Sequence, residues 1–193
     1  SVSADRGKTW SPPVTPHTVT SATEHWFVAM LPGTNGGADL VWLDGRQTAD
    51  TSAKGAMALV GGSIDRDGRS TGETMLDSRV CDCCQTALAR TADGLIAVYR
   101  DRSDSEIRDI SVVRQVNGKW TAPARVAADG WHYRACPVNG PSVAAAGKRV
   151  VVAWYTAADS TPRVKLAVST TAGAAFEKPL QVYLLDVASG VSQ

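Results

Sequence analysis

Long apolar runs, net charge and helical periodicity are all scarce in this 193-residue chain. No stretch approaches the roughly 18 to 20 apolar residues that cross a bilayer, and the run Val150 to Trp154 has the length of a strand. No membrane span is expected. Twenty Lys and Arg against nineteen Asp and Glu leave a formal charge of +1, without a basic run of the kind that neutralises phosphates. Nucleic acid is therefore not an expected partner. The chain also lacks an initiating Met and a signal-peptide pattern. It begins at Ser1 inside what reads below as a structural repeat, so a leader and further repeats are expected upstream. With 44% hydrophobic and 20% charged residues, it can build one core of good size but not two ordinary domains, and general disorder is excluded.

What the chain does have is short apolar runs bounded by Gly, Asp, Asn or Pro: Leu40 to Trp42, Leu95 to Tyr99, Val150 to Trp154 and Val164 to Val168. They predict an almost wholly β structure. The runs recur with their punctuation. A turn followed by a strand ending in an aromatic occurs at Trp42, Tyr99 and Trp154, spaced 57 and 55 residues apart. A second marker, aromatic-x-x-Pro, occurs at Trp10, Trp120 and Phe176, spaced 110 and 56 residues apart. Both markers fit a period near 55. Periods of that size, with about four short strands each, indicate propeller blades rather than a β-sandwich.

Ser3-Ala4-Asp5-Arg6-Gly7-Lys8-Thr9-Trp10 precedes the first of these aromatics and matches Ser-x-Asp-x-Gly-x-Thr-Trp, the Asp-box of BNR repeats. A degenerate copy keeps the spacing at Ser169, Gly173 and Phe176. Ser111 to Trp120 reads as a looser copy, and Ser63 to Gly68 starts another without the Trp. The box is expected to be structural: the Asp accepts turn N–H groups, Gly takes the positive-φ position and the aromatic ring is buried between blades. The segments Cys81-Asp82-Cys83-Cys84-Gln85-Thr86, Tyr99 to Ser103, Ile107 to Ser111 and Cys136 to Pro141 extend the likeness over nearly the whole chain. Together they resemble a bacterial secreted group of BNR-repeat proteins, the sialidase-like β-propeller family. The resemblance implies the fold more firmly than the activity, since one propeller hosts many functions.

The expected organisation is a blade end at residues 1–20, blades at 21–78, 79–130 and 131–185, and the start of another blade or a tail at 186–193. Three and a half blades do not close a ring, so missing blades or a second copy are expected to complete it. With the second strand of each blade at Trp42, Tyr99 and Trp154, the loops after those strands and the crossings between blades open on one face, opposite the Asp-boxes. That face collects most of the reactive side chains. Arg46, Arg100, Arg102 and Arg108 are the candidates for clamping a carboxylated sugar, since guanidinium forks pair bidentately with carboxylate. The resemblance implies an Asp acid/base and a Tyr nucleophile, for which Asp101 or Asp44 and Tyr133 are the counterparts. No Arg-Ile-Pro segment of the sialidase first blade is present.

Counted back from the strand aromatics, Cys83 and Cys136 both mark the start of an innermost strand, so Cys83 or Cys84 is expected next to Cys136. One reading is a disulfide between adjacent blades, closing a loop of about 50 residues and contributing roughly 4 kcal/mol, in keeping with a secreted protein. The other is a soft-metal site for copper or zinc, using Cys81, Cys83, Cys84 and Cys136 with His25 or His132. No cofactor is otherwise required. Two functions follow: an exo-glycosidase acting on an acidic sugar, or a non-catalytic propeller that binds a glycan, protein or metal.

Overall fold

The computed structural model describes residues 1–34, 36–49 and 55–182. The segment 186–193 lies outside the described residues, as does 50–54 in the loop after the first strand aromatic. The described chain is almost wholly β. Its only helical elements are the three-residue 3-10 turns Arg46–Thr48 and Ala158–Ser160.

The strands form three antiparallel sheets in chain order. The first contains β1 (His25–Pro32), β2 (Ala38–Asp44), β3 (Met57–Ile64) and β4 (Ser70–Val80), hydrogen-bonded in that order. The second contains β5 (Ala87–Arg90), β6 (Leu95–Arg100), β7 (Ile110–Val116) and β8 (Lys119–Trp120), with β9 (Ala124–Arg125) also pairing with β7. The third contains β10 (Ser142–Ala146), β11 (Arg149–Thr156), β12 (Arg163–Ser169) and β13 (Leu180–Val182). Trp42, Tyr99 and Trp154 all fall on the second strand of their sheets, and the first strands β1, β5 and β10 lie side by side.

Two apolar layers join the sheets in series. Val41, Leu43, Leu59 and Val80 of the first sheet pack on Leu88, Leu95, Tyr99 and Val113 of the second. Ile96, Val98, Ile110 and Val112 of the second pack on Val150, Val152 and Trp154 of the third. The middle sheet is covered on both faces, so every residue of β6 is buried and Leu95 to Tyr99 read as an unbroken apolar run, closed by the buried Arg100. In β11, which has one covered face, burial alternates instead: Val150, Val152, Trp154 and Thr156 point inward.

Each strand aromatic with a polar edge anchors it on a carboxylate. Trp42 Nε1 donates to Asp44 at 2.9 Å, the Tyr99 hydroxyl to Asp77 at 2.6 Å, and Trp154 Nε1 to Asp129 at 2.7 Å.

The turn at Ser3 to Trp10, expected to be an Asp-box, forms as the chemistry of its residues dictates. Asp5 accepts Thr9 N–H at 2.8 Å and the Thr9 hydroxyl at 2.7 Å, Ser3 Oγ accepts Gly7 N–H at 2.7 Å, and Gly7 sits at φ +85°. At the second copy Ser169 Oγ accepts Gly173 N–H at 3.0 Å, with Thr171 in place of the Asp, and Gly173 sits at φ +81°. Phe176 and Trp120 pack against the second and first apolar layers, whereas Trp10 is 64% exposed. The segment Ser111 to Trp120 is not a lengthened box. Ser111 lies inside β7, and β7 turns into β8 through Asn117-Gly118, both at positive φ, as a two-residue hairpin requires.

Candidate functional site

The loop 101–109 after β6 and the crossing 126–141 run side by side. Arg108 N–H donates to Trp131 O at 2.8 Å and Tyr133 N–H to Glu106 O at 3.0 Å, with a bridge between Ile107 and His132. Asp109, buried, accepts the N–H groups of Gly130 at 3.2 Å and Trp131 at 3.1 Å. These bonds hold an aromatic group in place. The Tyr133 ring stacks on Trp131 with centroids 5.4 Å apart, and Tyr155, at the end of β11, meets Trp131 edge-on at 5.6 Å. Tyr133 is 38% exposed. An opening of about 350 Å³ lies against them, bounded also by His132, Pro137, Asn139 and Ser160. An open cavity with aromatic walls and a few polar groups suits a small ligand held by stacking and hydrogen bonds.

The four arginines expected to form one clamp fall into three separate groups, each with partners inside the protein. Arg100 is 1% exposed and donates to three backbone carbonyls, Asn139 and Tyr155 at 2.6 and 2.7 Å and Arg108 at 2.5 Å. Its guanidinium also lies 4.9 Å from the Trp131 ring centroid. Desolvation lowers its pKa to about 10. Arg46 opens the 3-10 turn after β2, bidentate on Asp44 at 2.8 Å and paired with Glu73 of β4 at 2.6 Å. Arg102 and Arg108 do come together, on Glu106, at 3.0 and 2.8 Å. Arg79, absent from the sequence-based set, is the third guanidinium there, at 3.6 Å. Glu106 itself fills the position where three forks meet, and Arg102 spends a further N–H on Asp82 at 2.6 Å. The hydrogen bond from Arg102 is the main reason the Glu106 carboxyl titrates below its ordinary range.

The candidate acids occupy different surroundings. Asp44 is fully buried; burial alone would raise its carboxyl, but hydrogen bonds from Arg46 and Trp42 outweigh that and hold it well below the usual carboxylate range. Asp101 is raised, chiefly by desolvation and then by the nearby charge of Asp77. Its carboxylate accepts Arg102 N–H and the Ser111 hydroxyl at the junction of the first two sheets, where Asp101 bridges to Val80. Neither carboxylate lines the opening that Tyr133 borders.

Cys83 is bonded to Cys136, with Cα atoms 6.2 Å apart, so the expected adjacency holds in its disulfide form. Cys81 and Cys84 form a second bridge across a Cα separation of 5.6 Å, which the spacing argument did not anticipate. The sulfurs of Cys81, Cys83 and Cys84 lie within 4.8 Å of one another, close enough to hold a metal ion. Both bridges consume those sulfurs, so a soft metal fits this group only after reduction. His25 is not brought to them. Its Nδ1 lies 3.1 Å from Asp44 Oδ2 without hydrogen-bond alignment, and its ring stacks on His17 at 3.7 Å.

Sequence reasoning missed Trp131, Tyr155 and Asp109. The signal for the first was present, since Trp131-His132-Tyr133 places the only Trp and Tyr of the crossing one residue apart. No protein-family model matches the chain, and no curated protein shows significant similarity to it.

Proposed function

We propose that the three sheets are blades of an Asp-box propeller of the sialidase-like kind, acting outside the cytoplasm, and that the chain binds a carbohydrate at Trp131, Tyr133 and Tyr155 without cleaving it. The observation that carries this is the aromatic opening: Tyr133, 38% exposed and stacked on Trp131, is held by two hydrogen-bonded loops at the edge of the cavity, a surface suited to the apolar face of a sugar ring. Asn139, His132 and Ser160 supply polar groups for hydroxyls. The two disulfides suit an oxidising compartment. Hydrolysis of an acidic sugar would need free guanidinium forks beside a carboxylic acid and the Tyr133 hydroxyl. Arg46, Arg100 and Arg102 are engaged inside the protein, and Arg108, 2% exposed, pairs with Glu106 and Tyr133 O and leaves only a buried Nη1 without a partner, which favours binding over catalysis. Copper or zinc at the reduced cysteines is compatible with this reading and not required by it.

Calorimetric titration against a panel of neutral and sialylated oligosaccharides tests the proposal, together with a fluorogenic sialoside assay. Expected are binding without turnover and at least a tenfold loss of affinity on Tyr133→Ala. Sialoside turnover would restore the exo-glycosidase reading. Binding indifferent to Tyr133→Ala would remove the aromatic site.

A further inference from the structure

The four cysteines form two disulfides of opposite accessibility that touch. Cys81 and Cys84 are 1% and 2% exposed, whereas Cys136, in the crossing 126–141, is exposed and Cys83 half-buried. Across the two bridges, Cys81 Sγ lies 4.0 Å from Cys83 Sγ. Thiol–disulfide exchange proceeds by attack of a thiolate on a disulfide sulfur within reach, so an outer bridge in contact with an inner one can pass reducing equivalents inward.

We infer that the pair is a thiol–disulfide relay: a dithiol of an oxidising-compartment partner attacks Cys136, and the exchange is handed through Cys83 to the buried Cys81–Cys84 bridge. The attacking thiolate bonds to Cys136 Sγ and the Cys83–Cys136 bond breaks, leaving Cys83 as thiolate. Cys83 then bonds to Cys81 Sγ, 4.0 Å away, and the Cys81–Cys84 bond breaks. Cys84 takes up a proton. The partner's second thiol attacks its own sulfur in the mixed disulfide, loses its proton and releases Cys136, which takes one up. The partner dithiol is oxidised to a disulfide by two electrons, and the protein gains two thiols, at Cys84 and Cys136, while keeping one bridge, Cys81–Cys83. Cys81 is the sulfur attacked rather than Cys84, because joining neighbours Cys83 and Cys84 would close a strained vicinal ring. A second dithiol would open Cys81–Cys83 and leave four thiols. The exchange is independent of the glycan reading, since it uses none of the residues that border the aromatic opening except through the backbone of the same crossing.

Partial reduction of the wild-type chain with limiting dithiothreitol reads the order directly. Thiols are trapped with N-ethylmaleimide, the remaining bridges are reduced and labelled with iodoacetamide, and fragmentation mass spectrometry assigns each cysteine. Most two-thiol molecules are expected to carry the first label on Cys84 and Cys136 and the second on Cys81 and Cys83. Any other pair as the major species, Cys83 with Cys136 above all, overturns the relay. Cys136→Ser gives an independent reading, because it leaves Cys83 as a thiol beside the inner bridge. Its first label should spread over Cys83 and Cys84, and a label confined to Cys83 would count against transfer.

Discussion

Arg100 is a cation buried without a carboxylate partner among the described residues, and its three carbonyl acceptors come from three different segments: Arg108 in its own loop, Asn139 in the crossing and Tyr155 on β11. It holds the second and third sheets together at the end where the aromatic opening lies. Replacement by Lys keeps the charge but loses the planar fork that reaches three acceptors. Leaving buried carbonyls unpaired costs about 1 to 3 kcal/mol each. Arg100→Lys should therefore destabilise by about 3 kcal/mol, lowering the melting temperature by roughly 6 to 12 °C. Calorimetry checks this, and a melting temperature within 2 °C of wild type, on the order of the shift that 1 kcal/mol produces, would deny Arg100 its structural role. The sequence marked Arg100 as important through its place after a strand aromatic, but not what it does. The same dense run of charges, Arg100-Asp101-Arg102 through Arg108, is compatible with a ligand clamp or an internal network. The choice depends on where the loop backbone places carbonyls and on Glu106, whose φ of +62° folds its carboxylate back under three guanidiniums.

At the scale of elements, what could be read from spacing was the placement of strands, and what could not was the pairing of loops. The aromatics near 55-residue intervals landed on second strands because a repeat fixes register within each sheet. The Ser111 segment misled because a strand followed by Asn-Gly imitates the polar-Gly-aromatic rhythm of the box. Among the connections, the junction of β4 with the end of β6 has a measurable pH signature. Asp77 and Asp101 face the same buried region with Tyr99 and Ser111 between them, and Asp101 titrates above its ordinary range through desolvation first and Asp77 second. A carboxyl raised on folding favours the native state only while protonated: the contribution is complete below the unfolded pKa and is lost as pH rises through the folded one. Asp101→Asn removes that loss while keeping acceptor and donor for Arg102 N–H and Ser111. Its melting temperature should match wild type in strong acid and exceed it at neutral pH. A variant less stable than wild type at pH 7 would mean that the ionised carboxylate is the favoured form.

The described residues form three sheets in series; the middle one is covered on both faces along all of β6, the first is covered on its outer face only around Leu40, Trp42, Ala58 and Val60, and that asymmetry sets where stability resides. Ile96 and Val98 are fully buried between the second and third sheets, while Leu95, Ala97 and Tyr99 of the same strand are buried against the first. Elsewhere on the outer faces of the end sheets the same residue types stand in solvent: Met30 and Leu180 are each 64% exposed, and Val28 is 58% exposed. The apolar content of a strand therefore does not report its contribution; the number of covered faces does. Truncating Ile96 to Ala removes methyl groups from a close-packed layer that cannot collapse around the gap, at about 2 to 5 kcal/mol. Truncating Leu180 to Ala removes atoms already in water, with an effect within roughly 0.5 kcal/mol. Because both apolar layers include the middle sheet, Ile96→Ala should also lower the stability of the first sheet. Chemical denaturation followed by Trp fluorescence and by amide exchange in β2 would then shift together. If β2 protection stays at the wild-type level while the third sheet opens, the two layers unfold independently and the stack is not one cooperative unit.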